Sequence, residues 1–340
     1  MKKNVNVSLL DLGVVVQGQE MGDALNGIVV NAQLIESLGF KRIWVAEHHN
    51  MPGVSTAATS LAIGHVAGKT STLRVGAAGI MLPNHSPLVI AEQFGTLDIL
   101  YPGRIDLGLG RAPGTDQPTA AALRRNNISS HLDFPEDVRA LQRFMSVENS
   151  NSKVRAFPGE GRDVPLWILG SSTESAYLAA ELGLPYAFAS HFAPAHLFAA
   201  IDIYKRKFKP SEKHDKPYVM VGANVFVSDT DEEAQYLKTS LQQMVFGFLG
   251  GGRPGKLPPP VQELPPVFEL PEVKQALQNF TACTFAGSPS TVKTYIDDFL
   301  KQTDADELFI TNYIFDKEAR HRSFRLFAEL MALKPVELTA

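Results

Sequence analysis

The chain has 340 residues, a formal net charge of −4, 44% hydrophobic and 20% charged residues, and a single cysteine, Cys283. There is apolar material for a large core and no basic excess to suit nucleic acid or an anionic membrane surface. One cysteine excludes an internal disulfide and a cysteine metal cluster, and a buried, inert thiol is the expectation for it.

The amino-terminal run MKKNVNVSLLDLGVVV loosely imitates an export signal, but Asp11 interrupts it and no small-residue cleavage pattern follows, so it reads as a first strand. No stretch of about 20 apolar residues is present to span a membrane, and a cytoplasmic protein is expected. Eight short apolar runs follow one another at 5–14, 42–47, 73–82, 104–110, 166–170, 186–190, 218–227 and 308–313. Most are continuous rather than alternating, as strands buried on both faces require. Helical patterns separate them at 23–38, 56–71, 86–100, 134–147, 173–182, 194–208, 231–247 and 289–302, and a last one at 317–333 closes the chain. Gly39 and Gly183 stand as stops, and Pro87 and Pro135 stand near starts.

This rhythm predicts a single domain over 1–340: an α/β fold, a (β/α)8 TIM barrel with an extended loop after strand 7 and a C-terminal helix. A doubly wound open sheet is the alternative, weakened because VVQGQEMG after the first strand has no GxGxxG. Two insertions stand out. Residues 111–131 are rich in Gly, Pro and Asn; residues 249–269 read LGGGRPGKLPPPVQELPPVFE and are expected to lack regular structure. The second is read as a mobile cover at the C-terminal face, where barrel active sites lie, against the alternative of a solvated insertion.

Polar groups at the strand ends are the site candidates. Glu47, His48 and His49 end the second strand; one imidazole can face the mouth and serve in proton transfer, or all three can simply bond one another. The EHH triplet lacks the i, i+4 spacing of a helical metal motif, so no metal is expected. Ala77, Ala78 and Gly79 are small residues inside the third strand, which suits either a flat ligand or close backbone packing. Near its end His85 reads as a loop or cap-region histidine. Arg111 follows the glycine-thinned fourth strand, placed for a phosphate or for a surface ion pair. Gly170, Ser171 and Ser172 lead into a helix whose free N–H groups suit a phosphate, with N-capping by Ser172 as the plain alternative. His191 and Phe192 sit at the end of the sixth strand. Together these describe a pocket for a phosphate-bearing flat cofactor.

VAEHH (45–49), RVGAAGIMLPNHSP (74–87), GRIDLGLGRAPGTD (103–116) and ILGSSTESA (168–176) resemble, in order and spacing, the bacterial-luciferase-like flavin monooxygenase family, closest to its single-chain, FMN-linked branch. The resemblance implies a barrel that takes reduced FMN from a separate reductase and uses O2, through a flavin C4a-peroxide, to oxidise a small organic substrate. It implies the flavin ring against Ala78–Gly79, at a position where the family often has a non-proline cis peptide. It also implies phosphate held by Arg111, Ser171, Ser172 and Ser175, and His48 as acid/base with Glu47 beside it. It implies a homodimer. Gly110 stands where the luciferase α subunit has a reactive cysteine, so light emission is not implied. A deazaflavin-dependent oxidoreductase and a non-catalytic flavin-binding protein are the rival expectations.

Overall fold

The apolar runs become parallel strands: β1 (Asn6–Asp11), β2 (Arg42–Val45), β3 (Arg74–Met81), β4 (Ile105–Gly110), β5 (Leu166–Gly170), β6 (Tyr186–Phe188), β7 (Val219–Val227), β8 (Thr284–Gly287) and β9 (Glu307–Thr311). The computed structural model describes residues 5–112, 114–123, 133–250 and 255–336. Every residue of β4, β7 and β9 is buried, which is why these strands carry almost no polar alternation. Parallel ladders run from β1 through β6 in order; β6 pairs with β7, β7 with β9, and β9 with β1, closing an eight-stranded barrel.

The predicted barrel is therefore present, with one change in the strand count. β8 is a ninth strand, absent from the sequence reading, and it pairs with Asn224–Val227 beyond the point where β6 leaves the same strand at Val221. The helices are α1 (Met21–Ser37), α2 (Thr59–Ala67), α3 (Pro87–Leu100), α4 (Gln117–Leu123), α5 (Phe134–Met145), α6 (Thr173–Leu182), α7 (Leu197–Lys207), α8 (Asp231–Leu249), α9 (Pro271–Phe280), α10 (Pro289–Thr303) and α11 (Lys317–Leu330). In α1 the buried residues Ala24, Ile28, Ala32 and Ile35 form one stripe, and Gly39, just beyond the C-cap, takes φ +84 where a side chain would be strained. Several expected elements are shorter: the first strand stops at Asp11 rather than at residue 14, α2 starts at Thr59 rather than at residue 56, and β6 stops at Phe188 rather than at residue 190.

The barrel interior is layered. Leu10, Trp44, Ala46, Trp167, Ala187, Met220 and Phe309 fill its centre, with Ala78 and Leu169 packed against them. Two residues earlier on several strands lies a charged floor, as the period of two dictates. Arg42 donates from Nη1 to Asp106 Oδ2 at 2.6 Å and from Nε to Glu307 Oε1 at 2.8 Å. Arg74 Nε donates to Asp106 Oδ1 at 3.0 Å, and Trp44 Nε1 to Asp106 Oδ2 at 3.2 Å. The Tyr218 hydroxyl donates to Glu307 Oε2 at 2.8 Å, and Ser8 donates to Oε1 of the same carboxylate.

Gly108 lets β3 and β4 approach: a Cβ there would lie 2.2 Å from the Ala77 carbonyl oxygen and 2.5 Å from Leu169 Cδ1. Gly108→Ala is expected to destabilise the protein by about 1–3 kcal/mol through overpacking, read as a lower urea midpoint with an unchanged slope.

The segment at 249–269 has no helix or named strand over 255–265 and departs from the expectation of no regular structure at its two ends. Leu249 is the last residue of α8, and Pro266–Glu269 form a 3-10 turn; 251–254 lie outside the described residues. Leu257 N–H donates to the Val15 carbonyl at 2.8 Å and its own carbonyl accepts from Gln17 at 2.9 Å. Leu257 and Phe268 pack with Val16, Leu241 and Tyr313 in a satellite core. The segment thus crosses the loop that follows β1, at the C-terminal face. Of the 111–131 insertion, residues 117–123 form α4, whereas 113 and 124–131 lie outside the described residues.

Candidate active site at the barrel mouth

Glu47 lies two residues beyond the end of β2, which stops at Val45 rather than at residue 47, and is 1% exposed. Its Oε1 accepts from His49 Nε2 and from His85 Nε2, each at 2.9 Å, and its Oε2 accepts from the Met81 N–H at 3.1 Å. Burial alone would raise its pKa; the hydrogen bonds from His49 and His85 and the Met81 N–H outweigh that and hold it at about 2. A carboxylate so held stays ionised at neutral pH, so it fastens the ends of β2 and β3 rather than exchanging protons. His85 therefore does more than the sequence reading gave it: it is tied to Glu47 across 38 residues of chain.

His48 turns away from this cluster. Its Nδ1 lies 3.4 Å from the Gly114 carbonyl, which can only accept, so that contact assigns the proton to Nδ1 and leaves Nε2 as the basic nitrogen. Burial lowers its pKa below 6.5, keeping the ring neutral at neutral pH. Of the two arrangements open in the sequence, His49 bonds Glu47 and His48 does not. His191 is 5% exposed and held near pKa 3 by burial first and by His48 second. Its ring packs edge-on against Phe309 at 5.2 Å and Phe192 at 4.9 Å. Gly222 makes room for it, since a Cβ there would stand 2.9 Å from His191 Nδ1. Asn224 donates from Nδ2 to the His191 carbonyl at 2.6 Å and fixes its backbone; sequence reading passed over this asparagine inside an apolar strand.

The small residues of β3 divide into two roles. The register with β4 shifts between Ala77 and Ile80, and the Ala78–Gly79 peptide is cis, as the family resemblance implied. Ala77 is fully buried in the shell between strands and helices, so its methyl faces away from the mouth. Gly79 packs on the β4 backbone, where a Cβ would meet the Gly108 oxygen at 2.9 Å. Ala78 is the half-buried residue of the three, set against the interior cluster beneath the mouth.

At the far side β5 leads into α6. The N-cap Ser172 is extended (φ −136, ψ 165) and makes no side-chain cap bond, so the plain capping alternative is not what its hydroxyl does. Glu174's own N–H and then the Ser172 hydroxyl hold the Glu174 carboxylate below its usual range, with exposed Arg111 adding to the effect. An anion is thus already favoured on these donors. Ser175 is spoken for: its hydroxyl donates to the Ser172 carbonyl at 2.7 Å and lies 2.9 Å from the Tyr186 hydroxyl. Gly170 permits that turn, because a Cβ would come within 1.9 Å of Ser175 Oγ. The structure therefore brings Arg111, Ser172 and the start of α6 together at one rim and places Ser175 behind it. Cys283 is buried, its thiol pushed up to about 11.

A closed parallel barrel with a small-walled, histidine-bearing mouth at the C-terminal strand ends puts the candidate site where α/β-barrel enzymes carry theirs. Residues 7–268 match the luciferase-like monooxygenase family, and the chain belongs to it. It is 48% identical to a luciferase-like monooxygenase of Escherichia coli (strain K12) over 324 residues, 95% of this chain and 96% of that one. The solved structure of apo-MsnO8 superposes with a TM-score of 0.88 at 32% identity, covering 98% of this chain and 100% of that chain. Two more distant structures share the fold. The oxygenating constituent of 3,6-diketocamphane monooxygenase from Pseudomonas putida, in complex with FMN, has a TM-score of 0.72 at 17% identity and covers 98% of this chain and 99% of its own. An F420-dependent secondary alcohol dehydrogenase has 0.68 at 16% and covers 97% of this chain and 98% of its own.

Proposed function

We propose that this protein is an FMN-dependent monooxygenase that uses O2 to oxidise a small organic substrate. The observation that carries this reading is the pairing of two features at one mouth: the half-buried Ala78 surface, and the anion-favouring start of α6 with Arg111 beside it. In that reading Arg111, Ser171, Ser172 and the first N–H groups of α6 hold the phosphate, helped by the positive end of the helix. Ala78, with Gly79 behind it, offers the flat ring a wall without bulk. When bound, reduced FMN supplies the electrons that activate O2. His48, neutral and with Nε2 unprotonated, accepts or returns a proton at the reacting centre. His191, also neutral, orients a ligand without adding charge. The segment after α8 limits water at the mouth. A separate reductase delivering the reduced flavin, a cytoplasmic setting and a homodimer belong to the same proposal.

The test is anaerobic titration of the purified chain with reduced FMN, oxidised FMN and the deazaflavin F420, followed by exposure to 18O2 with a panel of aldehydes, ketones and thioethers. Reduced FMN is expected to bind most tightly, and the oxidised product to carry one 18O atom. Binding of the deazaflavin alone, with oxygen-independent hydride transfer, would overturn the reading in favour of the oxidoreductase class that the F420-dependent fold neighbour represents. FMN binding without any product would favour a flavin carrier.

A further inference from the structure

We propose that Glu47, His49 and His85 form a binding site for a divalent first-row transition-metal ion, set behind the β2 wall of the mouth and distinct from the ring-binding surface. The two histidines come from different places, His49 from the loop after β2 and His85 from the turn that opens α3. Both aim Nε2 at one atom, Glu47 Oε1, at 2.9 Å each, rather than sharing the two carboxylate oxygens. One ligand atom from each of the three residues falls within a 4.8 Å span. Neighbouring corners of an octahedron with metal–ligand bonds of about 2.1 Å are roughly 3.0 Å apart, and those of a tetrahedron roughly 3.4 Å. The oxygen–nitrogen spacings therefore already suit two adjacent positions of a metal shell, and rotation of one ring by a few tenths of an ångström suits the tetrahedral case.

The supporting contacts are those a metal site needs. Met81 N–H engages Glu47 Oε2 at 3.1 Å and fixes the carboxylate, while Oε1 is the point on which His49 and His85 converge, with Asn84 Nδ2 a longer donor to it at 3.4 Å. A cavity of about 310 Å³ opens onto Glu47 and His85 between α2 and α3, lined also by Thr59, Ser60 and Gln93. It provides an entry path and room for water in the remaining coordination positions. Two imidazoles and one carboxylate suit Fe2+, Co2+, Ni2+ or Zn2+ and not the all-oxygen preference of Ca2+ or Mg2+. On binding, each imidazole presents an unprotonated Nε2 to the ion and carries its proton on Nδ1. This site was not anticipated from the EHH triplet because its third ligand, His85, lies 36 residues beyond His49.

The test uses the tag-free, metal-stripped full chain and Co2+. One Co2+ per chain is expected to bind, with visible d–d absorption. His85→Ala and His49→Ala are each expected to weaken binding at least tenfold, whereas the exposed His65→Ala is expected to leave it unchanged. Because a variant can fail to fold, the wild-type protein is also followed by long-range 1H–15N spectra on adding Zn2+, where the Nε2 resonances of His49 and His85 should both move to the metal-bound range. Retention of both Nε2–H protons at saturating Zn2+, or Co2+ uptake that persists in both alanine variants, would show a hydrogen-bond cluster and overturn the proposal. Neither readout depends on which flavin the mouth takes.

Discussion

Asp106→Leu is expected to remove about 3–5 kcal/mol of stability, the cost typical of stranding a buried charge. Asp106 is 0% exposed and accepts from Arg42, Arg74 and Trp44 at the barrel floor. The leucine keeps the branching at Cγ but leaves Arg42, itself 4% exposed, with Glu307 as its remaining anion. Against a total stability of about 5–15 kcal/mol, such a loss is a large share of what holds a domain together. Urea unfolding read by circular dichroism should show the midpoint falling sharply; Asp106→Asn, which keeps an acceptor but not the charge, should fall between leucine and wild type. A leucine variant with the wild-type midpoint would mean that the floor contributes nothing to folding, and that Arg42 finds another partner or water.

The largest expected effect on activity is at His48. His48→Ala should lower turnover by about 10^2- to 10^4-fold, the range typical of losing a positioned acid/base group. The affinity for reduced FMN should stay within about threefold, because the phosphate donors proposed above belong to Arg111 and the start of α6 and not to His48. The comparison is made on the substrate found by the 18O2 screen, with His48→Gln as the second variant. Glutamine restores an acceptor but cannot take up a proton, so recovery of activity in it would make His48 a hydrogen-bond acceptor only. An equal loss of FMN binding and turnover in His48→Ala would move His48 from proton transfer to cofactor binding.

What sequence reading found and missed has a physical pattern. Strands such as VMVGANVFV are legible because burial on both faces leaves an apolar run with no competing interpretation. β8 was passed over because TFAG is four residues long, half of them only partly buried, and its place depends on an edge of β7 that opens only when β6 ends. α9 was hidden by its neighbourhood: PEVKQALQNF buries little beyond Leu277 and follows a proline-rich stretch that reads as loop. At the site, residues adjacent in sequence stand out readily as candidates: Glu47 with His48, and Gly170 with Ser171 and Ser172. Ties made across the fold were not, such as His85 to Glu47 and Asn224 to the His191 carbonyl. Local sequence also cannot say which way a small residue faces, so Ala77 and Ala78 looked alike although one methyl lies in the outer shell and the other beneath the mouth.

The floor of the barrel also has a consequence for traffic. With Arg42, Asp106 and Glu307 locked together below Trp44 and Trp167, the described residues close the floor and make the interior a cup rather than a conduit. Everything that reacts there must arrive and depart through the same doorway. A cofactor anchored at the α6 rim would stand in that doorway, so the two ligands have to queue: the deeper one enters first and leaves last. Steady-state kinetics would then show a compulsory order, and a spent product, the last to leave, would compete with the next substrate and not with the next incoming cofactor.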